Sequence, residues 1–348
     1  MKSLVLAGIR KFEFLEKSPP EIKGEKDVLV RVAKVGICGS DIHYYTRGRI
    51  GDQVIEFPFT IGHECSGIVE KVGKSVTKVS PGDWVAIDPA ISCGKCDQCR
   101  DGRYNTCRNL KFLGCPGELE GCLSEFIVIP EENCYKLPFT LNFIEGVLVE
   151  PLSIGIYATQ FLNPKKEKII GILGSGPIGL CVLLRAKEIG IERIFMTDKI
   201  DERLFVARNL GADWTGNPDE IDIIEEVGKI ESGGLDAVFE CCGEIEAIKE
   251  GVELLKPGGK LIIIGIPEVE IISFDINKLR RKELTIFNVR RQNNCVEKAI
   301  NFLLRKRINI DLIVTHNFKF EDAPMAFEIV EKYQNGVIKA IISLLDFK

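Results

Sequence analysis

Four cysteines in fifteen residues, Cys93, Cys96, Cys99 and Cys107, are the densest group of soft metal donors in the chain. Two-residue separations let neighbouring sulfurs converge on one ion, and the interval to Cys107 is long enough to loop back. Four thiolates satisfy tetrahedral zinc and leave no position for a reactant, so such a site is structural. Spacing alone leaves an iron–sulfur cluster or four buried thiols as alternatives. A second group is chemically different. Cys38, His63 and Glu64 can supply sulfur, nitrogen and oxygen with a fourth position open, as a catalytic zinc needs; a histidine in a turn is also often an ordinary polar residue, and a dinucleotide site in the same chain favours the metal. One thiolate and one carboxylate balance the charge of Zn²⁺. Zinc so held lowers the pKa of a bound hydroxyl and makes hydride departure from a carbinol carbon feasible.

A hydride needs an acceptor. Gly174-Ser175-Gly176-Pro177-Ile178-Gly179 has the spacing of a dinucleotide loop. An apolar strand candidate, 168–173, precedes it, a helical pattern over 177–189 follows, and Asp198 ends the next strand candidate, 193–197. In that context Gly174 permits the tight turn, Gly176 admits the pyrophosphate, and Gly179 allows close helix–strand packing. Asp198 is placed to accept the adenosine ribose hydroxyls and to repel a 2′-phosphate, which favours NAD over NADP. Lys199 and Arg203 nearby soften that preference.

The elements that position these groups fall into two textures. Before residue 150, alternating segments such as 28–32, 66–72 and 84–87 are joined by glycine and proline turns, which predicts a mostly antiparallel β domain. From 168 onward, strand candidates at 193–197, 236–240, 260–264 and 284–287 alternate with helical patterns, which predicts a doubly wound parallel sheet. The tail from about 289, with a helix near 322–334 and a strand at 338–342, is able to complete the first domain.

The whole chain is 348 residues with 45% apolar and 28% charged residues, enough for two ordinary cores and against intrinsic disorder. A net charge of −5 and a pI near 5.6 oppose a nucleic-acid partner. The amino terminus reads as no signal peptide. The longest apolar run, 169–184, holds 16 residues, fewer than the roughly 18 that span a bilayer. The expectation is a soluble cytoplasmic protein. Its remaining cysteines, Cys65, Cys115, Cys122, Cys134, Cys181, Cys241, Cys242 and Cys295, read as small apolar core residues.

The order Cys38-Gly39-Ser40-Asp41, Gly62-His63-Glu64, the four-cysteine lobe, Glu150-Pro151-Leu152 and Gly174-x-Gly176-x-x-Gly179 resembles the zinc-dependent medium-chain alcohol dehydrogenases along essentially the full chain. Tyr44–Gly51, Glu150–Gly155 and Val314–His316 make it most similar to the sorbitol (polyol) dehydrogenase branch, with L-threonine dehydrogenases as close relatives. The resemblance implies an α/β protein: a GroES-like, β-rich catalytic domain over 1–153, completed by 289–348, and a Rossmann-type sheet over 154–288. It implies two zinc ions and NAD, a polyol substrate, and a homotetramer. It assigns Cys38, His63 and Glu64 to the catalytic zinc, Cys93, Cys96, Cys99 and Cys107 to the structural one, and Glu150 to the zinc-bound water, which it hydrogen-bonds or exchanges with as a ligand. Ser40 and His43 match a proton relay. Cofactor contacts fall at Gly174, Gly176, Ile178, Gly179, Asp198, Arg203, Ile264, Gly265, Ile266, Asn288 and Val289, and substrate contacts at Tyr45 and Arg290. Arg291 stands where sorbitol dehydrogenases carry tyrosine. A second guanidinium there suits a carboxylate or phosphate, so a sugar acid or phosphorylated polyol is an alternative substrate, as is L-threonine.

Overall fold

Valines at 28, 30 and 32 alternate with less buried neighbours, as a strand with one core face requires. In the computed structural model, which describes residues 1–305 and 309–345, they sit in the Asp27–Gly36 strand. That strand is central to a seven-stranded sheet. On one side it pairs antiparallel with Glu64–Val72, which continues to Trp84–Ile87 and Cys134–Lys136. On the other it pairs antiparallel with Lys339–Ser343, whose own neighbour, Val314–Lys319, is parallel to it. Phe126–Pro130 also pairs with the central strand. The mostly antiparallel reading therefore holds, with one parallel exception.

The chain divides into two compact units, Met1–Glu150 with Val296–Lys348, and Pro151–Cys295. The carboxyl-terminal segment returns to the first unit because Ile341, Ile342 and Ser343 pair with Gly36, Val35 and Lys34. Residues 289–295 stay with the second unit, where Gln160 Nε2 donates to Cys295 Sγ and the Val289 amide to the Ile263 carbonyl. Of the 289–348 expected to complete the first domain, 306–308 and 346–348 lie outside the described residues.

In the second unit six strands lie parallel in the order Trp214–Gly216, Arg193–Thr197, Ile169–Leu173, Leu235–Glu240, Leu255–Ile263, Thr285–Asn288. Counted along the chain this is 3-2-1-4-5-6, the doubly wound order whose reversal point binds dinucleotides. Leu235–Glu240 is buried throughout, as a strand covered on both faces must be. Among the described residues no helix is long and apolar enough to cross a membrane.

Candidate active site

Cys38 leaves the central strand and starts the Gly39–Arg47 helix as its N-cap. Its amide, otherwise an orphan at a helix start, donates to Asp41 Oδ2 at 2.9 Å. The other oxygen of Asp41 accepts the Gly62 amide at 3.2 Å and lies 3.5 Å from His63 Nδ1. One carboxylate, 1% exposed, thereby joins the two segments that carry the metal donors. Glu64 follows as the first residue of its strand, opposite Gly36. Phe112 covers His63, with ring centroids 5.2 Å apart.

Ligand atoms of Cys38, His63 and Glu64 lie within 4.8 Å of one another. Thiolate, imidazole and carboxylate at that separation fit a zinc ion with one place open. Burial disfavours a charged His63, but Asp41 and Cys38 outweigh it and hold the ring well above its ordinary value, so proton and metal compete for this imidazole. Lys339 donates to both Glu64 oxygens, at 2.8 and 2.7 Å, and to the Ile37 carbonyl at 3.0 Å. Burial alone would lower the ammonium's pKa, yet Glu64 and Cys38 raise it above the usual lysine value. Glu150 is buried in the Phe143–Thr159 helix. Desolvation lifts its carboxyl to about 7, with His63 opposing and Glu64 adding to the shift. Ser40 and His43, both half-buried, stand three residues apart on the helix that Cys38 caps.

The other sulfur group is also assembled. The four thiols of Cys93, Cys96, Cys99 and Cys107 lie within 4.8 Å of one another, with Cys96 3.5 Å from Cys99 and 3.9 Å from Cys107. Tetrahedral zinc with ordinary thiolate bonds places its sulfurs about 3.8 Å apart, so the geometry fits. Amides of Lys95 and Cys96 draw the Cys93 thiol down to about 6, toward the thiolate a metal needs.

In the second unit, Gly174 has φ +99° and Gly179 packs so closely that a Cβ there would lie 1.9 Å from the Gly174 carbonyl. Gly176 caps the Pro177–Glu188 helix, whose first turn carries Ile178 and presents free amides. Asp198 accepts the Ser175 amide at 2.8 Å and the Ile200 amide at 2.9 Å, with Arg203 Nη1 3.9 Å away. Burial raises its pKa while Arg203 opposes. A carboxylate accepts about four hydrogen bonds, so capacity for ribose hydroxyls remains. Ile264, Gly265 and Ile266 follow the Leu255–Ile263 strand, Asn288 closes Thr285–Asn288, and Val289 comes next. All lie at carboxyl ends of parallel strands, where nucleotides bind in such sheets. Arg290 is exposed and Arg291 half-buried just beyond.

Tyr45 requires correction. It is 3% exposed and packs against Phe12 and Phe327 in the hydrophobic core, which gives it a packing role. Its neighbour Tyr44 turns the other way, with its hydroxyl toward Gln53 and Cys115. Asp41 and Lys339 carried no role in the sequence reading. The available signals were a carboxylate three residues after a candidate ligand and a lysine inside an otherwise apolar strand.

Residues 24–139 match the alcohol dehydrogenase GroES-like domain and residues 177–305 the zinc-binding dehydrogenase domain. The chain belongs to the zinc-dependent medium-chain dehydrogenases. It is 34% identical to sorbitol dehydrogenase of Bacillus subtilis (strain 168), across 98% of this chain and 97% of that protein. L-Idonate 5-dehydrogenase of Vitis vinifera is 37% identical, across 95% and 92%. A crystal structure of an Escherichia coli oxidoreductase/dehydrogenase of unknown specificity superposes with a TM-score of 0.91 at 34% identity, covering 99% of both chains.

Proposed function

We propose that this chain oxidises a secondary alcohol of a polyol and delivers the hydride to NAD, as a zinc enzyme. The observation that carries the reading is the convergence of thiolate, imidazole and carboxylate within 4.8 Å in a chain that also bears a full dinucleotide fingerprint. Cys38, His63 and Glu64 hold the catalytic zinc, which when bound polarises the alcohol oxygen as a Lewis acid. Asp41 fixes the tautomer and direction of His63. Ser40 accepts the hydroxyl proton and His43 passes it outward, while Glu150, buried with a pKa near neutrality, hydrogen-bonds the reacting oxygen and orients it. Gly174, Gly176, Ile178 and Gly179 cradle the pyrophosphate, and Asp198 takes the ribose hydroxyls with Arg203 alongside. Residues 264–266, 288 and 289 complete the cofactor's bed, and Arg290 binds substrate hydroxyls. The four-cysteine zinc is structural.

A sugar acid is the second reading. Half-buried Arg291 beside Arg290 supplies a pair of guanidinium groups, and the Vitis vinifera relative is an L-idonate dehydrogenase. The same proposal makes the protein a cytoplasmic homotetramer. None of the thirteen cysteines is in a disulfide, and Ile266, Val269, Ile271 and Ile276 lie exposed in the segment that leads to the sheet's edge strand.

The test is a turnover screen of polyols, aldonates, phosphorylated polyols and L-threonine with NAD and NADP. Preference for polyols with NAD is expected. Preference for aldonates that disappears in Arg291→Ala selects the second reading, and turnover of L-threonine alone overturns both.

A further inference from the structure

Lys339 is 1% exposed, at the start of the Lys339–Ser343 strand. An ammonium has three donors. Here one goes to the Ile37 carbonyl and two go to the two oxygens of Glu64, itself 1% exposed. A buried lysine is expensive, and an apolar residue would fill the same space with less penalty. Its charge is therefore spent on one carboxylate, and that carboxylate is one of the three metal donors.

Two cations then claim the same oxygens. Each oxygen that accepts from Lys339 has less electron density to offer a Lewis acid, and a bidentate approach by the metal must displace an N–H bond. The group whose ligand atoms converge is Cys38, His63 and Glu64, so Glu64 is its one carboxylate and the one that Lys339 holds. We infer that Lys339 is a positioning residue that competes with zinc for Glu64 and keeps this carboxylate a weak, exchangeable ligand. The inference rests on the reading that Cys38, His63 and Glu64 hold zinc. A purely structural lysine makes the opposite prediction: removing it leaves Glu64 misplaced and the metal looser.

Zinc release from the full-length, zinc-loaded protein to a chromogenic chelator separates the two. The catalytic ion is the release phase that is missing in Cys38→Ser. Lys339→Met is expected to slow that phase roughly tenfold, opposite in sign to the usual loss of an outer partner and comparable to the low end of its size. Lys339→Arg, with a planar fork that grips a carboxylate harder, is expected to accelerate it about threefold. Cobalt substitution supplies a second readout, since a tighter Glu64 ligand in Lys339→Met shifts the visible bands. Release from Lys339→Met as fast as wild type, or faster, overturns the inference. Should Lys339→Met fail to fold, Lys339→Arg decides, and unchanged or slower release overturns it. Absence of any Cys38-dependent phase in wild type instead overturns the underlying zinc reading.

Discussion

Asp41 Oδ1 lies 3.5 Å from His63 Nδ1, and both side chains are buried. The same carboxylate accepts the Cys38 amide, so one residue sets the ring's orientation and the approach of the thiol together. With Nδ1 directed at Asp41, Nε2 is the nitrogen left for a metal. Asp41→Asn keeps the shape and removes the charge. Catalytic-zinc affinity is expected to fall about 10- to 100-fold with the fold retained, as read by chelator competition beside circular dichroism.

The four-cysteine lobe makes a separate stoichiometric prediction. Wild-type protein is expected to hold about two zinc ions per chain and Cys96→Ser about one, by atomic absorption. The variant is also expected to melt at lower temperature, because binding energy at a closed site is folding energy. Full zinc content in Cys96→Ser would contradict the assignment.

In the proposed reading, Asp198 and Arg203 together set the cofactor preference. The carboxylate repels a 2′-phosphate, whereas Arg203, 3.9 Å from it, would welcome one once released. Asp198→Ala is expected to move the NAD-to-NADP ratio of kcat/KM toward NADP by about tenfold or more. An unchanged ratio would place the discrimination elsewhere.

Acid stability has one identifiable contributor. Glu131 is 1% exposed and its Oε2 accepts the Thr77 and Lys78 amides at 2.7 and 3.0 Å. Those amides, with Lys26 adding and burial opposing, hold its pKa down at about 2 against an ordinary 4.5. A depressed carboxylate stabilises the fold above its unfolded value and loses that contribution as pH falls from 4.5 toward 2. Glu131→Gln is expected to cost about 1–3 kcal/mol near neutral pH, with the difference from wild type shrinking across that acid window in denaturant titrations. A constant difference would contradict the linkage.

What the sequence disclosed was what local spacing encodes. Gly174 to Gly179, the strand before them and Asp198 after them lie within one βαβ segment, and the four cysteines within one loop, so chain order already implied proximity. Cys38 and His63 are farther apart, and it took the dinucleotide motif and the family resemblance beside their types to point to one centre. Long-range contacts were the hidden part. Lys339 meets Glu64 across 275 residues, and nothing local announces which strand the tail will join. Tyr44 and Tyr45 are buried in one core but meet different partners from distant segments, Tyr45 packing on Phe12 and Phe327 and the Tyr44 hydroxyl reaching Gln53 and Cys115.

The most direct measurement is NADH formation from a polyol by one preparation in three states: as purified, stripped of the Cys38-dependent zinc, and reloaded with zinc. Loss of nearly all turnover on stripping and its return on reloading is the expected result. Stripped protein that reduces NAD as fast as the loaded form would contradict a zinc-centred hydride transfer.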